Sequence, residues 1–297
     1  SGFLFLRFAH GFSAGFTPTG TSAYVADTVP FAQRGEAMGI QSLFGSLGMA
    51  AGPALGGWIA SFWPIETLFY AAAFTAIFSI LILVRLKETL PQKEPFSLRL
   101  FKLDKNEILE KRVLLPSTIL FLSVFSFGVV LTLIPDLSSF LGIKNKGLFF
   151  AVFTLSSLGI RLLAGRASDR VGRVKVMRVA SVVMVVAMIA VAFATSKTML
   201  LGSAVLFGAA VGMYSPTTTA WVVDRSLENY RGRALATMYI FLELGIGLGA
   251  LVSSWLYNNK PENFQIAFLF SAGVAFLGFL LLMFIKSDRK NSAELVA

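Results

Sequence analysis

The side chains able to do chemistry in this sequence are few and far apart. There is one histidine, His10, and no cysteine, and the 16 acidic residues nowhere cluster at catalytic or ligand spacing. That leaves no nucleophile–base–acid set and no histidine or thiolate metal site. With no Gly-x4-Gly-Lys-Ser/Thr run there is no nucleotide-binding loop either. What remains are charges in unusual places: Arg7 and, one turn later, His10; Glu243; and Asp and Arg residues repeated beside apolar runs. Such charges move protons, hold ions or lock a conformation; they do not break covalent bonds. Neither an enzyme nor a bound cofactor or metal is expected.

The elements that position these charges follow from composition. Hydrophobic residues make up 56% of the 297 and charged ones 14%, where a soluble chain carries about 25% charged. A bilayer-spanning helix needs about 20 mostly apolar residues. Runs of that kind lie near 3–26, 37–61, 67–84, 113–135, 148–165, 177–195, 199–222, 234–256 and 264–285. None alternates in polarity as a barrel strand does, so the expectation is an all-α membrane protein with nine helices in view. If the first run ends inside, the inner segments hold 20 of the basic residues. The outer loops hold four: Lys144, Lys146, Lys197 and Lys260. That bias places the C-terminus in the cytoplasm. It also accounts for the net charge of +10 without nucleic acid, which needs a basic face on a water-soluble fold. The polar stretch 86–112 divides the chain into 1–85 and 113–286, with a tail at 287–297. It is either a segment lying along the inner membrane surface or a plain basic linker.

An internal repeat runs through the sequence. AYVADTVPFAQRG at 23–35 stands opposite AWVVDRSLENYRG at 220–232, an offset of 197 residues. In that register Gly11 meets Gly208, Gly15 meets Gly212, Asp27 meets Asp224 and Arg34 meets Arg231. Gly48 meets Gly245, Gly52 meets Gly249, and Trp58 meets Trp255. Both copies run in the same direction, the plan of transporters whose halves are related by an axis along the membrane normal. Six runs follow residue 113 and three precede it, and Ser1 stands where an initiator Met would be. The register predicts three further helices, roughly 85 residues, ahead of Ser1, and twelve helices in the whole.

Three motifs sit on this frame. The first is GRASDRVGRVK, Gly165 to Lys175, in an inner loop. Asp169 and Arg170 lie at a helix end where charges can hold one half against the other. Gly172 permits a tight turn, and Arg173 and Lys175 are set to face the anionic inner leaflet. The second is GIQSLFGSLGMAAGPALGG, containing Gly39, Gly48, Gly52, Pro53, Gly56 and Gly57, where small residues let helices approach and Pro53 bends the backbone. The third is RFAHGFSAG from Arg7. An Arg in hydrocarbon costs a few kcal/mol, so it faces a cavity or partner or, lying near the outer end, snorkels to the interface. His10 is either a packing histidine or a proton carrier. Glu243, nine residues into the eighth run, is either a site for substrate or proton or a hydrogen bond between helices. Arg161 is read as part of the inner loop's charge system.

On these motifs the chain resembles transporters of the major facilitator superfamily, as their helices four to twelve. The resemblance implies a gating role for the Gly165–Lys175 loop and proton coupling through Arg7. It implies an inner charge lock from Asp27, Arg34, Asp224 and Arg231, which pair with such loops. For Asp224 and Arg231 that loop would lie outside this chain. In the superfamily the Gly-Pro-x-x-Gly-Gly signature goes with exporters that exchange substrate for protons. The implied function is proton-coupled efflux of a small organic solute by a monomer in a lipid bilayer, in a bacterial inner membrane. An uptake symporter or uniporter on the same fold, or a membrane protein that no longer transports, are the alternatives.

Overall fold

The computed structural model describes residues 2–30, 34–87, 109–227 and 230–285, and for some helical residues within them only the backbone. Among the described residues there are nine α-helices and no strand: α1 (Gly2–Thr28), α2 (Arg34–Phe62), α3 (Ile65–Leu83), α4 (Leu114–Phe140), α5 (Leu148–Val171), α6 (Arg173–Ala192), α7 (Lys197–Arg225), α8 (Arg231–Tyr257) and α9 (Phe264–Met283). Each apolar run of the sequence holds one of them. The ends differ where polar residues carry a helix past its apolar stretch. Thus α4 continues through Pro135 to Phe140, and Ser139 Oγ donates to the Pro135 carbonyl at 2.9 Å.

By length and composition α3, α4, α6, α7, α8 and α9 can cross a membrane. The two limbs of α5, Leu148–Arg161 and Leu163–Val171, meet at 43° and make a seventh span if taken together. At 27 and 29 residues α1 and α2 are long enough, but Gly, Ser and Thr dilute their apolar character. Shifting the bounds of α1 by 197 gives 199–225 against 197–225 for α7. The same shift takes α2 to 231–259 against 231–257 for α8, and α3 to 262–280 against 264–283 for α9.

The chain forms two compact units, one of residues 1–48 and 66–98, the other of 49–65 and 99–297. In the first, Gln41 Nε2 donates to Thr21 Oγ1 at 2.9 Å, joining α2 to α1. No residue of α3 is buried, and its exposed Phe69, Tyr70, Phe74 and Phe78 suit lipid.

In the second unit α4 packs on α8 and α9, α7 on α5 and α6, and α6 on α9. Between α4 and α8 the backbones touch: a Cβ on Gly128 would strike the Ile246 carbonyl, and one on Gly249 the Phe125 carbonyl. Membrane helices gain no hydrophobic drive from water, so such close packing and hydrogen bonds between helices hold them. Ser271 donates to Ser126 at 2.9 Å, and the Ser181 and Tyr214 hydroxyls are 2.5 Å apart. Phe149, Phe153 and Phe207 fill the core beside them. Arg178 of α6 donates from Nε and Nη2 to the Leu282 carbonyl and from Nη2 to that of Ile285, at 2.8–3.1 Å. It thereby caps the end of α9, where helix carbonyls lack partners.

Candidate functional site

The charged turn between α5 and α6 is built on a single glycine. Gly172 is the one residue between α5 and α6 and has φ 97° and ψ 145°, a region that glycine enters without a Cβ penalty. The turn brings the last coil of α5 onto the first residue of α6. Arg173 Nη1 lies 2.5 Å from Asp169 Oδ1 and donates to the Ser168 hydroxyl, while its Nε donates to Asp224 Oδ2 of α7 at 3.0 Å. One guanidinium thus holds two carboxylates from two helices.

This corrects two expectations. Arg173 does not face the leaflet: its side chain is 19% exposed, because two carboxylates at contact distance outweigh a diffuse surface potential. Asp224 does not wait for a loop beyond this chain. Since α7 packs against both α5 and α6, its last turn ends beside the Gly172 turn and takes its partner there. Arg170 and Lys175 are exposed. A Cβ on Gly165 would meet nothing within 4 Å among the described residues.

A second construction lies at the opposite end of the bundle. Pro53, Gly57 and Ser61, spaced by four on α2, present one face to the loop between α4 and α5. A Cβ on Gly147 would strike the Pro53 carbonyl; one on Gly57 would strike the Asn145 side chain and the Gly147 backbone. Asn145 Oδ1 accepts from Gly147 N at 2.9 Å, which shapes the loop, and Ser61 Oγ lies 3.2 Å from the Lys144 carbonyl. Within the motif the glycines divide. Gly57 is in close contact and Gly56 half-buried, whereas a Cβ on Gly48 or Gly52 would meet nothing within 4 Å among the described residues. Trp58, Phe62 and Trp63 pack edge to face beside this seat, an aromatic belt of the kind found at a membrane interface.

The coupling candidates are not gathered into a cluster. Arg7 and His10 are exposed on α1, with the Arg7 guanidinium 5.8 Å from the centre of the Phe3 ring. Glu243 is exposed on α8; Gly245 and Gly249 carry the α4 contact on the other side of that helix. No ion pair of Arg7, His10 or Glu243 occurs among the described residues. For Asp27, Arg34, Gly39 and Arg231 helix membership alone is described, and residues 88–108 of the central stretch and the tail from 286 lie outside the described residues.

Sequence reasoning missed two partners. Arg161 finds one on α7. It is half-buried, and its Nη2 donates to Ser215 Oγ of α7 at 3.1 Å. A charge inside an apolar run signals a partner, but the partner sits in another helix 54 positions on. Asn145 was also passed over; an Asn two residues before a Gly in a loop between two apolar runs is its one signal.

The pattern defining the Major Facilitator Superfamily matches residues 1–160 and again 117–296. The chain belongs to the major facilitator superfamily. It is therefore a multi-pass membrane protein of a family of transporters, not an enzyme. It is 29% identical over 283 residues to the multidrug resistance protein MdtG of Klebsiella pneumoniae, covering 92% of this chain and 67% of that protein. It is 29% identical over 267 residues to the multi-drug resistance efflux pump PmrA of Streptococcus pneumoniae, covering 84% and 64%. Multidrug resistance protein 2 of Bacillus subtilis is 27% identical over 304 residues, covering 99% and 75%. The chain spans about two thirds of the length of the first two of these relatives.

Proposed function

We propose that this chain is part of a secondary transporter that exports small organic molecules in exchange for protons, by alternating access, across a bacterial inner membrane with the C-terminus cytoplasmic. The observation that carries this reading is the seat of the Gly-Pro-x-x-Gly-Gly segment on the Asn145–Gly147 loop. An exporter that runs on a proton gradient must not leak, and close contact of backbone on backbone at Pro53 and Gly57 suits that requirement. The family signature at this place goes with proton-exchanging exporters, and the relatives named above are called multidrug resistance proteins or efflux pumps.

In this mechanism the two ends alternate. Arg173, shared by Asp169 and Asp224, holds the inner turn of α5 and α6 to the end of α7. Asp27, Arg34 and Arg231 are assigned with Asp224 to the inner charge lock. Arg7 and His10 on α1 and Glu243 on α8 are the groups that carry or sense the proton. Residues 1–85 and 113–286 act as parts of the two moving halves, with 86–112 between them and 287–297 as a tail, in a monomer.

The test is efflux in inverted vesicles from cells making the protein in the form its gene encodes. Fluorescent organic cations of several shapes serve as probes, with and without an imposed proton gradient. Gradient-dependent uptake into the inverted vesicles, lost in Arg7→Gln and reduced in Asp169→Asn while both variants still insert, is the expected result. Transport indifferent to the proton gradient would overturn the coupling, and transport in the opposite sense would overturn export.

A further inference from the structure

Beside the inner turn the second unit carries a groove that the transport reading does not use. Its walls are Ile160, Leu163, Ala164, Ala167 and Val171 of α5, and Val176 and Val179 of α6, with Met213 of α7 beneath; Lys175 is its one charged lining residue. The α5 positions recur at intervals of three and four, so they form a single helix face. The groove encloses about 340 Å³. Leu163, Val171 and Val179 on its rim are half or more exposed, at 65%, 50% and 56%. It is thus open along its length to whatever surrounds the bundle.

The charges around the groove are out of balance. Among the described residues the carboxylates beside it, Asp169 and Asp224, are held by Arg173, and Arg178 is committed to the end of α9. Arg166, Arg170 and Lys175 are exposed and form no ion pair among the described residues. Arg170 stands on the flank of the groove face of α5, Arg166 one turn before it, and Lys175 at the mouth from α6. The same mouth lies at the start of α6, where the N-cap residue Gly172 has no side chain to cap the first amides and the helix dipole favours an anion.

An apolar slot open to lipid, with unpaired cations and a helix N-terminus at one end, matches one molecule by its chemistry. We propose that this groove binds one anionic phospholipid, with an acyl chain lying between α5 and α6 and the phosphate at Lys175, Arg170 and the first turn of α6. The site requires only that the chain lies in a membrane. It stands or falls separately from substrate, direction and coupling.

The test uses the purified, delipidated protein, titrated in detergent with phosphatidylglycerol or phosphatidylcholine of identical acyl chains and read by native mass spectrometry. Phosphatidylglycerol should bind more tightly, and Lys175→Gln should reduce that preference by about fivefold, the scale of one basic residue at an anionic surface. Lys175→Arg should retain it. Ala167→Phe on one wall, or Val179→Phe on the other should the first not fold, should weaken both lipids by filling the slot. Glycerol phosphate in excess should leave the lipid in place. Equal binding of the two lipids, indifference to both groove-filling variants, or displacement by glycerol phosphate would each overturn the proposal.

Discussion

Arg173 Nε lies 3.0 Å from Asp224 Oδ2, so the first residue of α6 is fastened to the last turn of the next helix, α7. The same guanidinium meets Asp169 at 2.5 Å. The two carboxylates differ in exposure: 29% for the Asp224 side chain and 65% for Asp169. The more shielded pair keeps more of its Coulomb attraction.

A double-mutant cycle of Arg173→Gln with Asp224→Asn should therefore return a larger coupling than one with Asp169→Asn. Exposed pairs give about 0.2–1 kcal/mol, and the Asp224 pair should lie at the upper end. Thermal unfolding in detergent measures both. Equal couplings would place the two acids in equivalent surroundings.

Within the α2 motif, Gly57→Ala and Gly52→Ala should have opposite signs. Alanine gains about 0.5–1 kcal/mol over glycine in a helix interior, and at Gly52 no described residue lies within 4 Å of the added methyl. At Gly57 the added methyl meets Asn145 and Gly147, and overpacking costs about 1–3 kcal/mol. A rise in Tm for one and a fall for the other is the expected outcome.

Arg178→Gln removes the donors that hold the Leu282 and Ile285 carbonyls. Hydrogen bonds from a charged group contribute about 1.5–3 kcal/mol each at most. The loss should show first as faster amide exchange in residues 282–285, with the middle of α9 unchanged.

Tyr214→Phe keeps the buried ring and loses the hydroxyl facing Ser181. Hydrogen bonds between membrane helices average about 0.6 kcal/mol, so the fall in unfolding free energy should be of that order. A loss several times larger would mean that the hydroxyl organises more than this one bond.

The helices were legible in the sequence because lipid demands long apolar runs, and the repeat because its register carries no gap. The Gly172 turn was legible for a different reason, since a glycine among charges between two apolar runs has few other uses. What escaped were pairings between distant positions. Arg161 with Ser215, Gly147 with Pro53 and Arg178 with the end of α9 depend on which helices lie side by side, and no spacing within one helix encodes that. Arg173 shows the limit most plainly. Its type and place suggested the leaflet, yet Asp224, 51 positions away, turned it inward.

The seat of Gly147 on Pro53 has a genetic consequence. The atoms in contact there belong to the main chain on both sides, so neither partner has a side chain that a second substitution could trim. A damaging change at the Arg173 tie admits suppressors, such as a charge exchanged with its neighbour. A damaging change at Gly147 should yield none at position 53, and revertants recovered under selection should restore the glycine itself.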